Sequence, residues 1–196
     1  MASDDEYVKS RMEQGRYVNS FNPNFQLPGY AALIRWKITE PKNTNLPSDI
    51  QELDRVLPVH KPDANEMAKQ TSGIRFVWIG HATCLVQMEN FMFITDPVFS
   101  NRCGVTPSVG PTRFRPPALT TADLPENLEA VVISHNHYDH LDYPSVMSLN
   151  ARYGTKLKWF CGLGGRAWFV KNGIENVIEL DWWEEWKHPV GFFLSK

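Results

Sequence analysis

A chain of 196 residues with 20 Lys and Arg against 22 Asp and Glu carries a formal charge of −2, which argues against a dedicated nucleic-acid binder with its basic surplus. A hydrophobic content of 42% with 21% charged residues excludes disorder along the whole length and suits one compact domain or half of a larger one. No apolar run approaches the ~20 residues that cross a bilayer, the opening MASDDEYVKS lacks a signal-peptide core, and Cys84, Cys103 and Cys161 are too widely spaced for a disulfide scaffold, so an intracellular, reducing, cytosol-facing setting is expected.

Residues 1–29 mix charges with Asn, Gly and Pro, hold no sustained period and read as a flexible lead-in. Residues 30–38 (YAALIRWKI) are short, apolar and amphipathic, a helix or a strand. Near Pro47 a helix start is expected: Ser48 can cap, Gln51 follows three residues on, and Leu53 and Val56 come next. Pro58 ends it, and HKPDANEMAKQTSG reads as a polar connector. From Ile74 the period changes to two, predicting strands over 74–79, 84–88 and 91–95 with turns at Gly80 and Glu89-Asn90. Residues 97–117 form a long Pro/Gly/Arg loop. AVVIS at 130–134 has the length and continuous apolarity of a strand buried on both faces. Val146, Leu149 and Tyr153 recur at helical spacing over 143–153, with Gly154 as the stop. A strand at 157–161, a helix near 166–172 and a strand at 176–180 complete an α/β alternation.

The strongest chemical signal follows AVVIS directly: His135, His137, Asp139 and His140 in the spacing H-x-H-x-D-H. Loops at the carboxyl ends of open α/β sheets are where ligands bind, and neutral imidazole with carboxylate suits zinc or iron. In an extended turn, His135 and His137 project to the same side and can share one metal, while Asp139 and His140 serve a second. Two metals ~3.5–4 Å apart are the arrangement used for attack on phosphorus or carbonyl carbon. A polar loop that merely happens to be His-rich fits poorly, because three of the six His lie in this one hexapeptide. Asp96, ending an apolar strand before Pro97, is expected to orient a ligand His from outside the coordination sphere, the alternative being an ordinary turn Asp. His81 is a site residue in the same supporting shell or a hydrogen-bonded core His.

VWIGHAT at 77–83, FITDPVFS at 93–100 and ISHNHYDHLDYPSV at 133–146 resemble the metallo-β-lactamase superfamily. GPTRFRP at 110–116, LKWF at 157–160 and ENVIELDWWEE at 175–185 narrow the likeness to the N-acylphosphatidylethanolamine-hydrolysing phospholipase D family. The resemblance implies an αββα sandwich truncated to roughly its first half, with the domain over 30–186 and a divergent tail at 187–196. It implies two zinc ions, the first on His135 and His137 and the second on Asp139 and His140, the latter two being catalytic, with Asp96 as the supporting carboxylate. The implied reaction splits N-acylphosphatidylethanolamine into N-acylethanolamine and phosphatidic acid. The implied partners are that lipid, a membrane surface bound peripherally and a second copy in a homodimer, with no nucleic acid. Members of that family run on for roughly as many residues again and supply further ligands, whereas here KHPVGFFLSK follows Trp186 and His188 is the only later His. A catalytic zinc has three protein ligands plus water, so two per metal imply weak metal affinity, and a poorly covered sheet is expected. The alternatives are a non-catalytic truncated isoform and another hydrolase of the superfamily.

Three further features are read outside the resemblance. Arg102, Arg113 and Arg115 either contact lipid phosphate or are paired elsewhere. Trp182, Trp183 and Trp186 meet a lipid interface, pack in a core or make a dimer contact in the complete protein. The three cysteines are structural.

Overall fold

The computed structural model describes residues 7–22, 24–40, 46–47, 49–69, 71–104, 106, 108–188 and 193–195, the last three by backbone alone. These fall into two compact units, one from the residues up to Val59 together with those from Asp181 onward, the other His60–Leu180.

In the first unit, strands β1 (Arg11–Glu13) and β2 (Arg16–Val18) form an antiparallel hairpin with Arg11 opposite Val18. The lead-in has no periodic signal for it. The local signal is the turn dipeptide Gln14-Gly15, both residues at positive φ (50° and 76°), the combination a tight two-residue hairpin turn requires. Helix α1 spans Tyr30–Thr39, resolving the helix-or-strand choice at 30–38. Helix α2 spans Ile50–Val56, and its cap is Asp49, whose carboxylate accepts from Gln51 N at 3.0 Å. The expected cap, Ser48, lies outside the described residues.

The second unit begins with α3 (Ala64–Ala68), inside the stretch read as a polar connector. Five residues are too few to show a period, yet Asp63 caps the helix through Asn65 N (2.8 Å) and Glu66 N (3.1 Å), and Met67 is buried. The strands follow: β3 (Ile74–Gly80), β4 (Thr83–Met88), β5 (Phe91–Thr95) and β6 (Ala130–Val132). Helix α4 (Tyr143–Tyr153), β7 (Lys158–Gly162), α5 (Arg166–Lys171) and β8 (Val177–Leu180) complete it. The strands make one six-stranded sheet in the order β3-β4-β5-β6-β7-β8, antiparallel from β3 to β5 and parallel from β5 to β8. Two-residue turns suffice for the antiparallel part, whereas parallel neighbours need a crossover; α4 and α5 supply those between β6, β7 and β8.

Alternation along the strands builds the core. Ile79, Leu85, Ile94, Val131, Trp159 and Val177 are buried together with Val146, Leu149 and Tyr153 of α4 and Phe169 of α5, each large side chain contributing about 1.5–3 kcal/mol by leaving water. The intervening positions Ile74, Phe76 and Trp78 of β3 are exposed. This is the α/β half-sandwich expected, with β6 in its middle and its carboxyl end free to carry a site.

The tail belongs to the first unit, where β9 (Glu185–Lys187) pairs antiparallel with β10 (Phe193–Ser195). Trp183 stacks on Tyr7 with ring centroids 4.8 Å apart and donates from Nε1 to Val8 O, and Trp182 meets Phe21 at 5.1 Å. Aromatic contacts within this unit are therefore what the structure shows for these two tryptophans, with Trp183 still 48% exposed.

Candidate metal centre

β5 and β6 run parallel side by side, so their carboxyl ends lie at one edge of the sheet. The segment leaving β5 carries Asp96; the one leaving β6 carries Ser134 to His140. Asp96 N donates to Val132 O at 2.9 Å, and the second segment folds back through His140 N and Leu141 N, both donating to His137 O. α4 begins immediately after, held at its start by Val146 N on Asp142 O. The His-rich turn is thus fixed between a central strand and a helix with one face buried.

Asp96 is buried, with 5% of its surface exposed, at a left-handed φ of 36°. Its Oδ1 accepts from Ser134 N at 2.7 Å, and its Oδ2 accepts from Ser134 Oγ at 2.7 Å and His140 Nδ1 at 2.9 Å. A carboxylate only accepts, so the His140 proton sits on Nδ1 and the Nε2 lone pair is free. Ser134 Oγ gives its proton to Asp96 and so accepts from His135 Nδ1 at 2.9 Å, which frees His135 Nε2 in the same way.

Each of these two nitrogens lies beside a second donor atom. His135 Nε2 is 3.0 Å from His137 Nδ1, and His140 Nε2 is 3.6 Å from Asp139 Oδ2. A tetrahedral ion with ligand bonds of about 2.0–2.1 Å separates its ligands by about 3.3–3.4 Å, so both pairs are spaced to share a cation. A fourth imidazole joins the second pair: His81 Nε2 is 3.1 Å from the same Asp139 oxygen. Among the described residues, His81, Asp139 and His140 offer ligand atoms that all lie within 4.8 Å of one another. Imidazole nitrogen and carboxylate oxygen are the donors that suit zinc or iron, and Asp96 and Ser134 hold two of the rings in the tautomer coordination needs, so these residues fit a divalent metal.

The electrostatics agree. Burial, then the charges of His140 and His137, pull the His135 pKa below its ordinary value despite Asp96 and Asp139, favouring the neutral ring that binds metal. Burial raises the Asp139 carboxyl, but its own backbone amide, His140 and the bond from His81 outweigh it and leave the pKa lowered.

His81 arrives from the turn between β3 and β4, and hydroxyls attach that turn to the Asp96 segment. Thr95 Oγ1 donates to Ala82 O at 2.8 Å, Thr83 Oγ1 donates to Asp96 O at 2.8 Å, and Val98 N donates to Thr83 Oγ1 at 3.0 Å. The supporting parts played by Ser134 and Thr83 were missed in the sequence. Their signal there is a hydroxyl at the end of an apolar strand, too common to single out.

Two of the three loop arginines serve the loop itself. Arg113 donates from Nε to Ser100 O at 3.0 Å and from Nη2 to Val98 O, and Arg102 donates to Gly110 O. Ser100 Oγ in turn donates to Asp142 Oδ2 at 2.7 Å, tying the loop to the start of α4. For Arg102 and Arg113 the paired reading holds. All three cysteines are free thiols, and burial pushes the pKa of Cys84 and of Cys103 up, which keeps them poor nucleophiles.

The profile of the β-lactamase superfamily domain matches residues 92–194. The chain is 40% identical over 162 residues to N-acyl-phosphatidylethanolamine-hydrolyzing phospholipase D 1 of Caenorhabditis elegans, covering 80% of this chain and 45% of that protein. It is 24% identical over 180 residues to the mitochondrial N-acyl-phosphatidylethanolamine-hydrolyzing phospholipase D of Saccharomyces cerevisiae, covering 76% of this chain and 38% of that one. The chain therefore spans less than half the length of these curated relatives. Among solved structures, a possible metal-dependent hydrolase from Veillonella parvula is similar at 22% identity and a TM-score of 0.48, over 60% of this chain and 45% of the other.

Proposed function

The chain belongs to the β-lactamase superfamily, and from that premise we propose that it is part of a zinc-dependent hydrolase acting on N-acylated ethanolamine phospholipids. The reaction is of the phospholipase D type: the phosphodiester is cleaved on the ethanolamine side, giving N-acylethanolamine and phosphatidic acid. The 40% identity to the C. elegans enzyme supports the substrate class. The observation that carries the metal chemistry is the Asp96 carboxylate fixing the His140 ring, with Nε2 left free beside Asp139.

His135 Nε2 and His137 Nδ1 would hold one ion, Asp139 Oδ2 and His140 Nε2 the other. Once bound, the ions supply Lewis-acid stabilisation of charge developing on the phosphoryl oxygens. The chain's own residues prepare that site. Asp96 and Ser134 set ring tautomers before metal arrives, which removes a reorganisation cost, and the His81 contact keeps Asp139 ready as an anionic ligand. The substrate reaches the site from a membrane surface that the protein meets peripherally; among the described residues no helix is long and apolar enough to cross a membrane.

The test uses the complete hydrolase of which this chain is part, with its metal content measured as purified, and vesicles containing N-acylphosphatidylethanolamine, with products read by mass spectrometry. Equal release of phosphatidic acid and N-acylethanolamine, lost in His135→Ala and Asp139→Asn, is the expected result. Intact lipid in the presence of stoichiometrically bound zinc would overturn the substrate assignment, and bound iron in place of zinc would overturn the choice of metal.

A further inference from the structure

Resting on the lipid reading above and deepening it, we propose that helix α1 is the element that docks this protein on a membrane, lying along an anionic bilayer surface rather than crossing it. Helix α1 and the residues leading to it belong wholly to the first unit.

α1 has no core to face. None of its ten residues is buried. Tyr30 is 87% and Ile38 78% exposed, and Leu33, Ile34 and Trp36 are exposed as well, as is Leu27 just upstream. Tyr30, Leu33, Ile34 and Ile38 stand at i, i+3, i+4 and i+8, so they line one side of the helix. Lys37 falls on the same side, but its ammonium is turned over the Trp36 ring, 5.9 Å from the centroid. Helices shorter than ~12–15 residues are marginal alone in water, and an exposed apolar stripe of this width calls for an apolar partner. At ~1.5 Å per residue α1 is about 15 Å long, half of the ~30 Å hydrocarbon core, so it can lie in the interface and cannot span it.

Charge selects the partner. From Gln14 to Thr39 the sequence holds no Asp or Glu, while it holds Arg16, Arg35 and Lys37, a local surplus of +3 in a chain of net charge −2. A second copy seated on the same helix would set these cations against their own kind, whereas an anionic lipid surface pairs them. The substrate read above is itself such a lipid: N-acylation turns the ethanolamine amine into a neutral amide and leaves the phosphodiester anion uncompensated. Tyr30 and Trp36 are of the aromatic types that settle at headgroup depth. Arg35 and Lys37 can lay their stems along apolar surface with the charge kept in water.

The experiment takes the complete hydrolase of which this chain is part and sediments it with unilamellar vesicles, of phosphatidylcholine alone or of phosphatidylcholine mixed with phosphatidylserine. Neither contains N-acylphosphatidylethanolamine, so binding is read without turnover. Gln keeps the helix propensity, so Ile34→Gln with Ile38→Gln withdraws exposed apolar surface and opens no core; far-UV circular dichroism checks the fold. The wild type is expected to bind the mixed vesicles more tightly than phosphatidylcholine alone. The Gln pair should weaken binding to both by roughly 10-fold or more. Arg35→Gln with Lys37→Gln should weaken it on the mixed vesicles alone, by about 5-fold for each cation removed.

Variants that bind both vesicles as the wild type does overturn the proposal, and so does a wild type that binds neither. A dimer in sedimentation velocity that the Ile34→Gln, Ile38→Gln pair dissolves would give the helix to a second copy and overturn it too. Substrate hydrolysis that survives in detergent micelles while vesicle binding fails removes the docking surface and leaves the substrate reading standing. Vesicle binding that depends on α1, beside a substrate left intact, removes the substrate reading and leaves the docking surface.

Discussion

The buried Asp96 carboxylate accepts from His140 Nδ1 at 2.9 Å across 44 residues of sequence, joining the ends of two parallel strands at one imidazole. Three donors (Ser134 N, Ser134 Oγ and His140 Nδ1) converge on this one group. Asn has one acceptor oxygen and would present its amide hydrogens to at least one of them. Asp96→Asn is therefore expected to weaken zinc binding by about 10–100-fold, with a stability loss of about 1–3 kcal/mol from the donor left unpaired. Competitive zinc titration beside thermal unfolding checks both. A lower melting temperature with unaltered affinity would make Asp96 a structural residue only.

What was legible in the sequence was what is locally encoded. The period-two strands β3 to β5, the apolar β6 and the helical spacing of Val146, Leu149 and Tyr153 each declare themselves within a dozen residues, and so does the H-x-H-x-D-H run. The hairpin at Arg11–Val18 and helix α3 escaped because three to five residues are too few to show a period. The meeting of His81 with Asp139 escaped for a different reason. It depends on Thr95 and Thr83 stitching one turn to another across the sheet, and a threonine's partner leaves no trace in its own sequence neighbourhood. Arg113 is similar, since its acceptors are backbone carbonyls, which every residue possesses.

The loop after Asp96 depends on two glycines that face each other. A Cβ on Gly104 would lie 1.7 Å from Val109 O, and one on Gly110, at φ 123°, would lie 2.0 Å from Cys103 O. Both obstacles are backbone and can only yield if the loop opens. Gly110→Ala is expected to lower the local opening free energy by about 1–3 kcal/mol. Hydrogen exchange should show faster exchange at Cys103 N and Arg113 N, bonded to Pro111 O and Asn101 O, with the β4 and β5 amides unaffected. Uniform acceleration throughout the sheet would mean that the loop and the sheet unfold as one.

Leu149 is fully buried on α4, in the core cluster with the sheet residues. Leu149→Ala removes its methyl groups and leaves a cavity between two rigid layers, so a loss of about 2–5 kcal/mol is expected by urea denaturation. Val170, on the outer part of α5, is 41% exposed, and Val170→Ala should stay within about 0.5 kcal/mol. Equal effects at the two positions would contradict the placing of Leu149 in the core and of Val170 at the surface.

Alkaline pH should find a specific weakness at Tyr153. Its hydroxyl donates to Pro125 O at 2.8 Å from a side chain only 6% exposed. Burial pushes its pKa up to about 12, against a smaller downward pull from Arg152. In the unfolded chain a tyrosine titrates near ~10. Between pH ~10 and about 12 the unfolded chain has therefore given up the proton while the folded one keeps it. The unfolded state then binds fewer protons, and stability falls as pH rises. Below pH ~10 both states are protonated and the contribution is complete. Tyr153→Phe discards the hydrogen bond, a loss of about 1 kcal/mol at neutral pH, and with it this alkaline sensitivity. Urea midpoints at pH 8 to 11 should start lower for the variant, and the gap should close as the wild type weakens. Curves that remain parallel over that range would show that the Tyr153 hydroxyl ionises as freely in the folded protein as in the unfolded one.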